Sequence, residues 1–111
     1  MLIKKKDAKR FANSSRCIAY EYDFKDKDLN VAFIEINGRY PETGRVVNEV
    51  CKELVFVIEG NGKIVIEDKE YEVEAGDEVL IRPCLKYFFD GNLKILTSCI
   101  PAWFSGQHKQ V

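Results

Sequence analysis

Apolar residues recur at every second position over most of this chain, and almost nowhere at the three-and-four spacing of a helix face. A backbone that sends side chains to alternate faces is a strand, so the pattern commits the chain to sheet. Cys17–Tyr22 reads as a strand, closed by the charged turn 23–28. Leu29–Ile36 reads as a second, stopped by Asn37-Gly38, and the loop 39–44 leads to a further extended piece over 45–51. Leu54–Ile58 and Lys63–Glu67 flank Glu59-Gly60-Asn61-Gly62 and predict a hairpin. Strand signals return over 71–74, 78–82 and 86–89, separated by Ala75-Gly76-Asp77 and Pro83. Asp90-Gly91-Asn92 then reads as a turn into Leu93–Ile100. On that last run Leu93, Ile95, Thr97 and Cys99 share one face, and Lys94, Leu96 and Ser98 the other. About nine or ten short strands punctuated in this way predict an all-β sandwich or barrel.

At 111 residues the chain fits one domain, and 46% hydrophobic content suffices for a core. A net charge of -1 gives no reason to expect nucleic acid or an anionic membrane as partner. Lys4-Lys5-Lys6 reads as the solvated end of an N-terminal strand. No apolar stretch approaches the roughly 20 residues of a membrane helix, and Met1-Leu2-Ile3 runs straight into lysines, unlike a signal peptide. The four cysteines are far apart with no CxxC pair and are expected as reduced thiols in a cytoplasmic protein.

Two blocks say more than periodicity does. Glu53-Leu54-Val55-Phe56-Val57-Ile58-Glu59-Gly60-Asn61-Gly62 places a glutamate ahead of glycines at a turn. Ala75-Gly76-Asp77-Glu78-Val79-Leu80-Ile81-Arg82-Pro83 places Gly-Asp before an apolar strand and a proline. In order and spacing they resemble the two motifs of the cupin superfamily, over roughly Gly38 to Ile100. The resemblance implies a cupin-type double-stranded β-helix, a jelly-roll barrel, as a single domain over 1–111 with a tail from 101 to 111. Metal-binding members of the family carry two histidines, one residue apart, before that glutamate, and a third after the proline. Counted along this chain those positions are Val46, Asn48 and Tyr87, or Val47 and Glu49 for the first two if the intervening loop is one residue shorter. Glu53 alone matches. An amide oxygen is a weak ligand and a phenol loses its proton only near pH 10, so the expectation is a barrel with no tightly bound metal and no cofactor.

On this alignment Asn48, Glu53 and Tyr87 project together into the barrel. They form either a ligand-binding cluster, with Glu53 as general base and Tyr87 as acid, or an internal hydrogen-bonded set. Arg39, Tyr40 and Arg45 flank the loop at the expected barrel mouth, where an arginine fork suits a carboxylate or phosphate; otherwise they belong to a solvated loop. His108, the only histidine, lies in the tail. It reaches the pocket if the tail folds back, although termini are usually at the surface. Trp103 and Phe104 are expected to cover a barrel end or meet a partner, and Cys51 and Cys84 to be buried. The functional expectation is a small polar ligand, a sugar or an organic acid, with isomerase, epimerase or lyase chemistry as its enzymatic form. The alternative is a non-catalytic small-molecule sensor or an interaction module with a degenerate site. The family's metal-free sugar-nucleotide epimerases use a histidine and a tyrosine in the barrel, which a tail histidine does not copy. A homodimer through the apolar edges Leu2-Ile3 and Cys17–Tyr22 is expected as well.

Overall fold

The computed structural model describes residues 1–111 as nine strands with short 3-10 turns at Lys5–Asp7 and Ser105–Gln107. The strands are β1 (Lys9–Ser14), β2 (Cys17–Glu21), β3 (Asn30–Tyr40), β4 (Val46–Asn48), β5 (Lys52–Ile66), β6 (Lys69–Glu74), β7 (Glu78–Ile81), β8 (Tyr87–Ile100) and β9 (His108–Gln110). Every pairing is antiparallel. β8 is the spine, with β3 on one side and β5 on the other. β2 and β1 extend the sheet beyond β3, β6 and β7 pair with β5, and β9 closes onto β4. The sheet curls on itself as a jelly-roll half-barrel, in which β1, β6, β7 and β9 are each paired with one strand only.

Alternation decides the core. Val55, Val57, Leu93 and Ile95 point into the barrel with Ile64 and Ile81, all buried. Each such side chain contributes about 1.5–3 kcal/mol by leaving water. Leu54, Phe56 and Ile58, the other half of the same apolar run, lie on the outer face and remain exposed.

Three expected turns are not turns. Asn37-Gly38, Gly60-Asn61-Gly62 and Asp90-Gly91-Asn92 all lie inside long strands, and the predicted hairpin over 54–67 is one continuous β5. Their glycines meet across the sheet: Gly38 pairs with Gly91, and Gly91 with Gly62. Gly91 has φ of +139°, and a Cβ there would lie 2.6 Å from the Gly62 Cα. A row of residues without side chains lets three strands bend together at one level, so each continues from one half of the barrel to the other. A register shift between Val57 and Glu59 adds a bulge just before the bend.

The N-terminus also departs from expectation. Lys5–Asp7 is a 3-10 turn rather than a strand end, and β1 follows it over residues without clear alternation. β2 is therefore an interior strand, paired with β1 and β3, and offers no free edge for the expected dimer. The tail is part of the sheet, since Val46 pairs with Gln110 and Asn48 with His108. All four cysteines are free; Cys17, Cys51 and Cys99 are buried, whereas Cys84 is exposed at a positive φ, contrary to the expectation for it. No helix is long and apolar enough to cross a membrane.

Candidate functional site

The counted motif positions converge. Asn48 ends β4, Glu53 lies near the start of β5 and Tyr87 opens β8, and all three side chains are buried inside the barrel. Glu49, the alternative count, is exposed. Asn48 is the hub. Its Nδ2 donates to Glu53 Oε1 at 3.2 Å and to Tyr87 Oη at 3.3 Å. Its Oδ1 accepts from Gln107 Nε2 at 3.0 Å and meets His108 Nδ1 at 2.8 Å. Two donors and two lone pairs are all that an amide has, and all four are used.

The direction of these bonds is set from outside the cluster. Gln107 Oε1 accepts from the backbone N–H groups of Val50 and Cys51, both at 3.1 Å. That contact turns the Gln107 amide so that its Nε2 faces Asn48, which in turn holds the Asn48 oxygen toward Gln107 and His108. An oxygen opposite Nδ1 requires a hydrogen on Nδ1, so neutral His108 keeps a lone pair on Nε2. Tyr40 Oη sits 3.2 Å from that nitrogen and donates to it. His108 is half-buried, and burial holds its pKa below the usual 6.5, in agreement with the neutral form.

Glu53 and Tyr87 complete the floor. Tyr87 Oη donates to Glu53 Oε1 at 3.2 Å, so one carboxylate oxygen takes both bonds. No side-chain oxygen of the protein is both fully buried and unpartnered, so Oε2 opens to the cavity that Glu53 lines. Burial raises the Glu53 pKa above 4.5, opposed by the hydrogen bonds from Tyr87 and Asn48. Burial, then the neighbouring Glu53, raises Tyr87 well above 10, and burial carries Tyr40 up to about 12. Both phenols therefore keep their protons.

The cavity above this floor has a volume of about 60 Å³. It is a narrow slot. Phe89 and Trp103 form apolar walls, Trp103 leaning on the His108 ring at 5.6 Å, so this residue faces the ligand space as well as closing it. Asn13, Glu21, Asn30 and Thr97 also line the slot, and none of them was anticipated. Glu21 was legible, since a carboxylate on the face of Cys17 and Ala19 stands out by period two. Gln107 was not: its role depends on a 3-10 turn and on backbone amides far away in sequence.

Arg39 and Arg45 do not belong to the site. Arg39 donates to the Pro41 carbonyl at 2.6 Å and the Gly44 carbonyl at 2.9 Å, with its guanidinium 3.9 Å over the Phe88 ring. Arg45 bonds the Glu67 carbonyl and lies over the same ring, 5.3 Å from its centre. Phe88 alternates with the inward Tyr87 and Phe89, so it faces out and takes both arginines with it. Tyr40, their neighbour, does enter the cavity.

A transition metal of the kind the family holds does not fit these donors. The Asn48 oxygen has no lone pair to spare, Tyr87 keeps its proton, and His108 Nε2 is shared with Tyr40. The Cys17 thiol on the cavity wall is pushed up to about 12 by burial, and Cys99 is raised likewise. Glu53 alone remains, and no cluster of three ligating residues exists.

No protein-family model matches the chain, and no curated protein matches it. Solved structures do. Pac13, described as a unique nucleoside dehydratase, superimposes with a TM-score of 0.90 at 15% identity, covering 100% of this chain and 90% of that one. A Streptomyces PAC13 variant with uridine gives 0.91 at 16%, covering 100% and 89%. Ectoine synthase from P. lautus gives 0.76 at 13% over 100% and 90%. Oxalate decarboxylase from Bacillus subtilis gives 0.84 at 13%, with 98% of this chain matching only 31% of that longer one. At these identities the likeness is one of fold. All are cupin-fold proteins, and with its motifs, its strand pairing and these neighbours the chain is a small cupin-fold β-barrel.

Proposed function

We propose that the barrel binds a small polar molecule above the Glu53–Tyr87–His108 floor and moves protons on it, as an isomerase- or lyase-type enzyme without a tightly held metal. The observation that carries this reading is the free Oε2 of a buried carboxylate opening into the same slot as two protonated phenols. A carboxylate whose pKa is raised by burial is a stronger base once ionised than a solvated one. Isomerisation of a hydroxy-carbonyl takes a proton from one carbon and returns it at its neighbour, which Glu53 can carry, while a hydroxyl proton passes from one oxygen to the other, a relay open to Tyr87 and Tyr40. Elimination of water also breaks a carbon–oxygen bond, and the departing oxygen needs a proton; Tyr87 and Tyr40 are the donors at hand. The description of Pac13 as a nucleoside dehydratase is a parallel for the second form on the same fold.

The test begins with a thermal-shift screen of sugars, nucleosides, small amines and organic acids. Turnover of each hit is then followed by NMR in the wild type, Glu53→Gln and Tyr87→Phe. Both variants are expected to lose about 10²–10⁴ in rate while remaining folded with a cooperative melt. Unchanged turnover in both rejects the site. Binding without turnover by the wild type transfers the protein to the sensor reading. Stoichiometric iron, manganese, nickel or zinc in purified protein overturns the metal-free part.

A further inference from the structure

The cavity carries an unbalanced charge. Fifteen residues line it, and none is lysine or arginine. Its carboxylic acids are Glu53 at the floor and Glu21 on β2, its phenols and thiols keep their protons, and its single imidazole is held neutral. Burial and Asp23 raise the Glu21 pKa, and Lys9, paired with it across β1 and β2, lowers it. Lys25 and Lys27, in the loop beside the mouth, are exposed and interleaved with Asp23, Asp26 and Asp28. The arginines that would suit an anion are committed to backbone carbonyls and Phe88 on the outer face.

We infer that the slot selects by charge, accepting uncharged or cationic polar molecules and rejecting carboxylates and phosphates. This rests on the small-molecule reading above and narrows it, because the organic-acid half of the expected ligand class is removed. Any ligand reaching Glu53 Oε2 must offer it a hydrogen or a positive charge, and a net negative charge brought into the same slot is repelled by the carboxylate. Coulomb's law at an effective dielectric of about 20 and a separation of about 6 Å makes the difference about a hundredfold in Kd. The aromatic walls work in the same direction, since ring faces attract cations and stack on neutral rings. A free nucleoside or an unphosphorylated sugar is admissible on these grounds, as is a small amine; a nucleotide or sugar phosphate is not.

Matched pairs that differ in charge test the inference by calorimetry: uridine against uridine monophosphate, glucose against glucose 6-phosphate, ethanolamine against glycolate. In each pair that binds, the anionic member is expected to be at least tenfold weaker. Glu53→Gln is expected to narrow that gap by tenfold or more, and Glu21→Gln by less, since Glu21 is the more exposed of the two. An anionic member that binds the wild type as tightly as its partner overturns the charge selection and leaves the small-molecule reading intact. A gap that Glu53→Gln leaves unchanged overturns it too. Failure of every compound, in both charge states, sinks the small-molecule reading and this inference with it.

Discussion

Asn48 shows how one amide can settle the protonation of another residue. With its nitrogen toward Glu53 and Tyr87 and its oxygen toward Gln107 and His108, it leaves neutral His108 a single tautomer, hydrogen on Nδ1. The orientation originates in the Val50 and Cys51 N–H groups, which hold the Gln107 oxygen. Because His108 is the only histidine, its ring nitrogens are readable one protein at a time by long-range 1H–15N correlation. The wild-type spectrum is expected to show a protonated Nδ1 and a bare Nε2 at neutral pH. Gln107→Glu keeps both backbone bonds but offers Asn48 no hydrogen. The Asn48 amide should then reverse, and the hydrogen on His108 should move to Nε2. Retention of the Nδ1 form in that variant would show that Gln107 does not orient the cluster. Gln107→Leu, by contrast, leaves two backbone N–H groups without their acceptor and should cost about 1–3 kcal/mol for each that stays dry.

At the level of strands, alternation was legible along β8 and the other strongly patterned runs, and continuity was not. Leu93, Ile95, Thr97 and Cys99 face inward as their spacing requires, and the motif count that places Asn48 beside Glu53 and Tyr87 is the one the barrel adopts. Asn-Gly and Gly-Asn-Gly, however, satisfy a tight turn and a bend in a long strand equally well, because both use the same glycine freedom. Only the partner strand distinguishes the two. Gly91→Ala places a methyl 2.6 Å from the Gly62 Cα and 2.7 Å from the Asn61 oxygen, all backbone atoms that cannot step aside. A loss of about 3 kcal/mol or more is expected in chemical denaturation. Gly76→Ala is the control, since its φ is also positive, at +95°, but nothing lies within 4 Å of the added carbon. It should cost only the conformational strain, about 1–2 kcal/mol. Equal losses at the two positions would mean that the glycine row is not a close-packed bend.

For the molecule as a whole, the buried cluster makes stability depend on pH with two opposite signs. Glu53 has its folded pKa raised above 4.5, so its contribution is complete below that pH and fades as pH climbs through the folded value. His108 has its folded pKa lowered below 6.5, so its contribution is complete above that pH and fades as pH falls through the folded value. The two oppose each other in between. Glu53→Gln keeps an oxygen for Asn48 and Tyr87 and carries no charge to bury. Its melting temperature is expected to match the wild type near pH 4 and to exceed it increasingly toward neutral pH, read from thermal melts across that range. A difference independent of pH would mean that Glu53 is not ionising within the fold.

What the order of residues determined by itself is the class of structure, the shared faces of the strongly alternating strands and the positions of Asn48, Glu53 and Tyr87, because a period of two and a motif spacing are local properties. What only the folded barrel decided is which glycines bend rather than turn, that the two arginines face outward, and that the tail returns as β9 to set His108 and Gln107 against Asn48. Those outcomes depend on hydrogen bonds between residues some sixty positions apart. No local pattern encodes a bond whose partner is chosen by the way the sheet closes.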